Sequence, residues 1–116
     1  MTDTSCMFCK IARREIPSNI VREDEHTIAF RDLDPKAPTH VLVIPRAHVA
    51  SVNAVDTEHG AALGALFLAA RAVAESEGIA DAGYRLVVNT GAAAGQTVHH
   101  LHMHVLGGRD MRWPPG

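Results

Sequence analysis

One stretch limits the fold more than any other. From His99 the chain reads HHLHMHVLGG, so His100, His102 and His104 fall on every second position, with Leu101, Met103 and Val105 in the gaps. A period of two is that of a β-strand, whose side chains alternate between faces. Read so, the segment sets three imidazoles on one face, about 7 Å from one to the next, and an apolar stripe on the other. The apolar face needs another element to cover it. The imidazoles stand too far apart to bond directly, yet close enough to converge on one ligand. Alone, the pattern fits a metal site, catalysis or a chance cluster of histidines.

The cover is legible further up the chain. Over 56–77, Leu63, Leu66, Phe67, Ala70, Val73 and Ala74 recur at helical spacing and predict the one long helix, with these six as its buried stripe. Asp56 or Thr57 can cap its start and Gly78 can end it. FCKIARREI predicts a short helix stopped by Pro17. NIVREDE and HTIAFRDL read as strands joined at an acidic turn, 23–25, and HVLVIP and YRLVVN as two more. DPKAPTH is a loop, because its prolines cannot donate to a ladder. With no repeat and no second unit in 116 residues, the reading is one domain over 1–116, with an N-terminal arm at 1–10 and a C-terminal tail at 109–116. Several strands, one long helix and short loops give an α+β fold with an antiparallel sheet.

Composition narrows the partners. A net charge of -2 and 4% aromatics offer neither a basic surface nor a stacking platform, which argues against nucleic acid. No apolar run is long enough to span a bilayer, and MTDTSCMFCK lacks the basic start and apolar core of a secretion signal, so no membrane and a cytoplasmic location are expected.

Cys6 and Cys9 form a C-x-x-C that is redox-active or metal-binding. No strand precedes it, as a thioredoxin-like pair would need, so metal is the better reading. Two cysteines cannot close a tetrahedral zinc site, and the missing ligands would be histidines. Just before the histidine run, NTGAAAGQTV offers glycines that can approach an anion closely, with Gln96 and Thr97 as hydrogen-bonding side chains.

Together, EIPS, AFRDLDPKAPTHVLVIPRAHV, GYRLVVNTG and GQTVHHLHMHVLGGRDMRWPPG, in this order, resemble the histidine-triad (HIT) superfamily, in particular its Hint-type branch with a terminal W-P-P-G. The resemblance implies a five-stranded antiparallel sheet with one long and one short helix, joined into a continuous sheet across a homodimer. It implies hydrolysis of purine nucleoside phosphoramidates through a nucleotidyl-histidine intermediate, with no cofactor required for the chemistry. The rivals are a dinucleoside polyphosphate hydrolase and a non-catalytic nucleotide-binding or interaction protein.

The residues follow from the motif match. His102 matches the nucleophile, its proton held on the other ring nitrogen by a backbone carbonyl of the triad strand. His104 matches the residue contacting the phosphate oxygens. His40 matches a fourth, supporting histidine, and His100 completes the catalytic group. Asp32 and Leu33 fall at the ribose, and Ile16 and Phe30 at the base. Asn89, Gly95, Gln96 and Thr97 flank the phosphate and leaving group. Some bacterial-type relatives hold a structural zinc, whose ligands here would be Cys6, Cys9, His48 and His100. Trp113 is expected at the dimer interface or the pocket rim, His99 opposite the triad, and His26 and His59 at the surface.

Overall fold

The computed structural model describes residues 5–116. Its sheet is built around two strands, β3 (Thr39–Pro45) and β5 (Met103–Gly107), which pair antiparallel with Val41 opposite Val105. β2 (Thr27–Arg31) and β1 (Ile20–Glu23) extend the β3 side, and β4 (Tyr84–Val87) closes the other, giving the antiparallel order β1-β2-β3-β5-β4. One sheet face carries α2 (Gly60–Ser76), the other the short α1 (Met7–Ala12).

The period of two holds in the packing. Leu101, Met103 and Val105 are at most 3% exposed and join Ala29, Val41 and Val43 against Leu66, Ala70 and Val73 of α2. The regular strand starts later than the alternation, at Met103 rather than His100. Continuing the β3–β5 register would set Leu101 opposite Pro45, which has no N–H to give a ladder. The Leu101 N–H goes instead to the Val49 carbonyl at 2.6 Å.

The long helix also begins later than its pattern. Asp56 caps a single 3₁₀ turn, Thr57–His59, by accepting from the Glu58 N–H at 2.9 Å, and α2 follows. Its end is as predicted. Gly78 adopts φ +73°, and the Gly78 and Ile79 N–H groups close back on the Glu75 and Ala74 carbonyls. Phe67 corrects the predicted stripe: it is 60% exposed, beside Leu68 at 65%. The alanines at 69, 70 and 74 let α2 lie close to the sheet, which centres the buried face on Leu66, Ala70 and Val73 and leaves Phe67 about a quarter-turn off it. α1 is shorter than expected, for a reason no glycine announces. Arg14 takes the left-handed conformation (φ 60°), and the Arg14 and Glu15 N–H groups bond the Ile11 and Lys10 carbonyls, ending the helix before Pro17.

Gly107 lies where the sheet meets the segment after α2. A Cβ there would stand 2.5 Å from Ile79 Cδ1 and 3.1 Å from Ile79 Cβ, and Ile79 is buried. Gly107→Ala is therefore expected to cost about 1–3 kcal/mol through overpacking, roughly 4 °C of Tm per kcal/mol. Thermal unfolding followed by circular dichroism checks it, and an unchanged Tm contradicts the packing described.

Candidate active site

The histidines sit on the α1 face of the sheet, and hydrogen bonds fix where each keeps its proton. His102 Nδ1 is 2.7 Å from the His100 carbonyl oxygen. A carbonyl only accepts, so Nδ1 carries the hydrogen, and in the neutral ring the lone pair is on Nε2. The ring is 7% exposed, with Phe8 edge-on at 5.2 Å between centroids.

His104 is set by a relay. The Lys36 backbone N–H donates to His40 Nδ1 at 3.0 Å, which leaves the His40 proton on Nε2. His40 Nε2–H then donates to His104 Nδ1 at 2.8 Å, with Asp32 Oδ2 at 3.5 Å. The His104 proton is thus on Nε2. The His102 and His104 rings are 5.1 Å apart, so a nitrogen lone pair and an N–H donor stand side by side. The relay needs neutral rings. Burial lowers the pKa of His104 to about 4, helped by the positive charges that His102 and His40 would carry. Burial also lowers that of His40, against the pull of Asp32.

A pH dependence follows. The unfolded imidazole titrates near 6.5 and the folded His104 near 4, so protons bind the unfolded chain first as the pH falls. Stability from the neutral ring is complete above pH 6.5 and lost as the pH drops through about 4. The loss from His104, discounted for its partial exposure, is on the order of 2 kcal/mol. Urea midpoints between pH 7 and 4 should fall more steeply for the natural protein than for His104→Asn; parallel curves would contradict it.

Beside the histidines an apolar cavity of about 270 Å³ opens between α1 and β2, lined by Phe8, Ile11, Ile16, Phe30, Leu42 and Val98, with Asp32 and Leu33 also at its wall. Ile16 and Phe30, chosen from sequence, are here. Leu33 is 97% exposed, and Asp32 Oδ1 accepts the Asp34 N–H at 2.8 Å. Phe8, Ile11, Leu42 and Val98 were not singled out from the sequence. Leu42 was readable: it is two residues beyond His40 on β3 and so shares its face.

The glycine loop is braced from within. Gly91 and Gly95 have φ +87° and +85°. The Gln96 side chain accepts from the Gly91 N–H at 2.9 Å and donates to the Ala50 and Val98 carbonyls at 2.8 and 3.1 Å. Gln96 is buried, and its amide is spent on holding the loop. Thr97 borders a separate cavity with Cys6, His48 and His99. Asn89 is half-buried, and extending the β4–β5 register sets it opposite His102. His99 and Trp113 are exposed. His26 and His59, expected at the surface, are half-buried; His59 Nδ1 accepts the Asp56 N–H at 3.0 Å.

At the other end of the triad, Cys6, Cys9, His48 and His100 present four ligand atoms all within 4.8 Å of one another. Cys6 Sγ and Cys9 Sγ lie 3.4 and 3.5 Å from His100 Nδ1, and Cys9 Sγ lies 3.4 Å from His48 Nδ1. Bonds of about 2.3 Å to sulfur and 2.0–2.1 Å to nitrogen give a tetrahedral S···N edge of about 3.6 Å, close to all three. His100 is fully buried and donates its Nε2–H to the Pro45 carbonyl at 2.8 Å, which aims the Nδ1 lone pair at the sulfurs. The donor set and its tautomer fit zinc.

Comparison with known proteins agrees with this geometry. The chain is 53% identical over 105 residues to the purine nucleoside phosphoramidase of Escherichia coli strain K12, covering 90% of this chain and 88% of that one. It is 46% identical over 118 residues to the 14 kDa zinc-binding protein of Zea mays, covering 100% and 91%. A HIT family hydrolase of Legionella pneumophila superposes with a TM-score of 0.94 at 48% identity, covering 97% of this chain and all of that one. Residues 13–111 match the family described as HIT domain, and the chain belongs to that family.

Proposed function

We propose that this protein hydrolyses purine nucleoside phosphoramidates, with His102 as nucleophile. One observation carries the reading: His102 Nδ1–H is held by the His100 carbonyl, so in the neutral ring the lone pair that can attack is on Nε2. Nε2 attacks phosphorus, the P–N bond breaks, and the amine leaves with a proton drawn from solvent. Water then attacks the nucleotidyl-imidazole, the bond from phosphorus to Nε2 breaks, and the nucleoside monophosphate leaves with neutral His102 restored. His104 Nε2–H steadies charge on the phosphate oxygens, supported by His40. Phe8, Ile16, Phe30 and Leu42 enclose the base, Asp32 accepts from the ribose beside Leu33, and Asn89, Gly95 and Thr97 border the phosphate and leaving group. The E. coli relative's name supports this substrate class. None of these steps requires a cofactor.

Cys6, Cys9, His48 and His100 would hold a zinc ion with no open position, so its chemistry is structural. The Zea mays relative's name supports this reading. The protein acts as one domain and as a homodimer: exposed Phe67 and Leu68 lie on α2, and β4 is a sheet edge with unpaired backbone, which suits a second copy joining the sheet. No helix among the described residues is long and apolar enough to cross a membrane, in keeping with a cytoplasmic place of work.

The test is a panel of adenosine and guanosine phosphoramidates beside diadenosine polyphosphates. kcat/KM should favour the phosphoramidates at least roughly 100-fold, a gap of about 2.7 kcal/mol in transition-state binding. A preference for the polyphosphates, or nucleotide binding with no turnover of either class, overturns the reading.

A further inference from the structure

The hydrogen bond between His40 and His104 can be made in two directions. Across their 2.8 Å, His40 Nε2–H can donate to His104 Nδ1, or His104 Nδ1–H can donate to His40 Nε2. In the neutral ring only the first leaves a hydrogen on His104 Nε2, the atom that would donate to the phosphate. The rings themselves do not choose, since each neutral imidazole carries one N–H and one lone pair. The group behind His40 chooses. The Lys36 backbone N–H stands 3.0 Å from His40 Nδ1, and the reverse direction would set two hydrogens against each other there. Asp32 Oδ2, at 3.5 Å from His40 Nε2, favours the same direction but lies beyond a good hydrogen-bond distance.

The direction of the relay thus depends on where one main-chain N–H is held, and residue 36 lies in no strand. It belongs to the loop 32–38 between β2 and β3, in which 33–36 and Pro38 are exposed and Pro35 and Pro38 have no N–H to give. The C-terminal tail reaches this loop by register. Thr39 pairs with Gly107 at the end of the β3–β5 ladder, so Gly108 and Arg109 emerge where the loop enters β3. Two contacts follow. Arg109 Nε–H donates to the Lys36 carbonyl at 3.1 Å. Gly108 takes φ +88°, and a Cβ on it would stand 2.9 Å from Pro38 Cβ, an approach that glycine alone permits. Lys36 is therefore held at both of its main-chain polar groups, the N–H on His40 and the carbonyl on Arg109.

We infer that Arg109 is a positioning residue: by fixing the Lys36 segment it sets the direction of the bond between His40 and His104, and with it the hydrogen on His104 Nε2. Arg109 acts through the loop and is exposed, so its part in the reaction is to keep His104 a donor rather than to meet the substrate. The effect on rate rests on the phosphoramidase reading. The effect on proton positions does not, which lets the two be told apart.

Nitrogen-15 NMR of the histidine side chains reads the proton positions directly. In the natural protein at neutral pH, His40 and His104 should each show a protonated Nε2 and an unprotonated Nδ1. In Arg109→Met, which keeps the stem and removes the donors, both rings should become mixtures of tautomers, the two nitrogen shifts of each moving toward one another. Only the fraction with a hydrogen on His104 Nε2 is competent, so kcat on an adenosine phosphoramidate should fall roughly two- to fivefold with KM little changed. Arg109→Lys should restore the natural signals and most of the rate, because a single carbonyl needs one donor and not the guanidinium fork. Natural tautomers kept in Arg109→Met overturn the inference, whatever happens to its Tm or its rate, and so does a tautomer mixture in the natural protein. The expected signals in both proteins, with no turnover of the phosphoramidate by the natural one, mean instead that the phosphoramidase reading has failed while the positioning role stands.

Discussion

His102→Asn should yield a protein that folds, binds purine nucleotide and turns over no phosphoramidate, with kcat lowered by at least roughly 10⁴-fold. The asparagine amide can still donate to the His100 carbonyl that holds Nδ1–H, so the local hydrogen bond survives. What disappears is Nε2 and its lone pair. If His102 only activated water, substantial rate would remain and no covalent species would form. If it is the nucleophile, quenched turnover of the natural protein should show one nucleotidyl group added by intact mass, absent from the variant. The Kd for nucleotide should change little, because the apolar cavity is lined by other residues. Turnover by His102→Asn within a few-fold of the natural rate would remove His102 from the chemistry. His104→Gln should fall less, about 10²–10³-fold, because it removes a donor to the phosphate and leaves the nucleophile in place.

Much of this site was legible before any coordinates, and the limits of that reading are physical. Alternation at 100–105 separated imidazoles from core because the side-chain period of a strand is independent of whether a ladder continues. The point where the ladder stops depends on what lies opposite, and only the fold sets Leu101 against Pro45. Helical periodicity placed α2, yet misassigned Phe67, since six apolar positions do not reveal which of them meets the sheet once alanines allow a close approach. The end of α1 at Arg14 carried no glycine signal. In the site, residue types gave donors and acceptors without proton positions. Those depend on main-chain groups far apart in sequence: the Lys36 N–H behind His40, the Pro45 carbonyl behind His100 and the His100 carbonyl behind His102. Phe8 gave no sign of facing both Phe30 and His102, because its place depends on how the N-terminal helix docks.

That docking leads to the second large effect. α1 meets the sheet through an apolar cluster, Phe8 and Ile11 against Ile28, Phe30, Leu42 and Ile44, and through Cys6 and Cys9 facing His48 and His100. Without a metal, two thiols and two imidazoles make only weak sulfur hydrogen bonds there. With zinc, four strong bonds join the N-terminal helix, the segment after β3 and the triad segment. Protein purified without chelator should therefore contain about one zinc per chain by elemental analysis. Cys9→Ala should abolish binding and lower Tm by at least roughly 15 °C, since Cys9 is fully buried and a structural zinc contributes about 10–16 kcal/mol of apparent binding energy in small peptides. Cobalt in place of zinc should show the intense near-ultraviolet absorption of thiolate ligation, lost in Cys9→Ala. His100 would be a zinc ligand through its ring while its carbonyl holds His102, so chelation should lower turnover as well as stability, and zinc should restore both. A metal-free protein of unchanged Tm in Cys9→Ala would leave the N-terminal helix held by its apolar contacts alone.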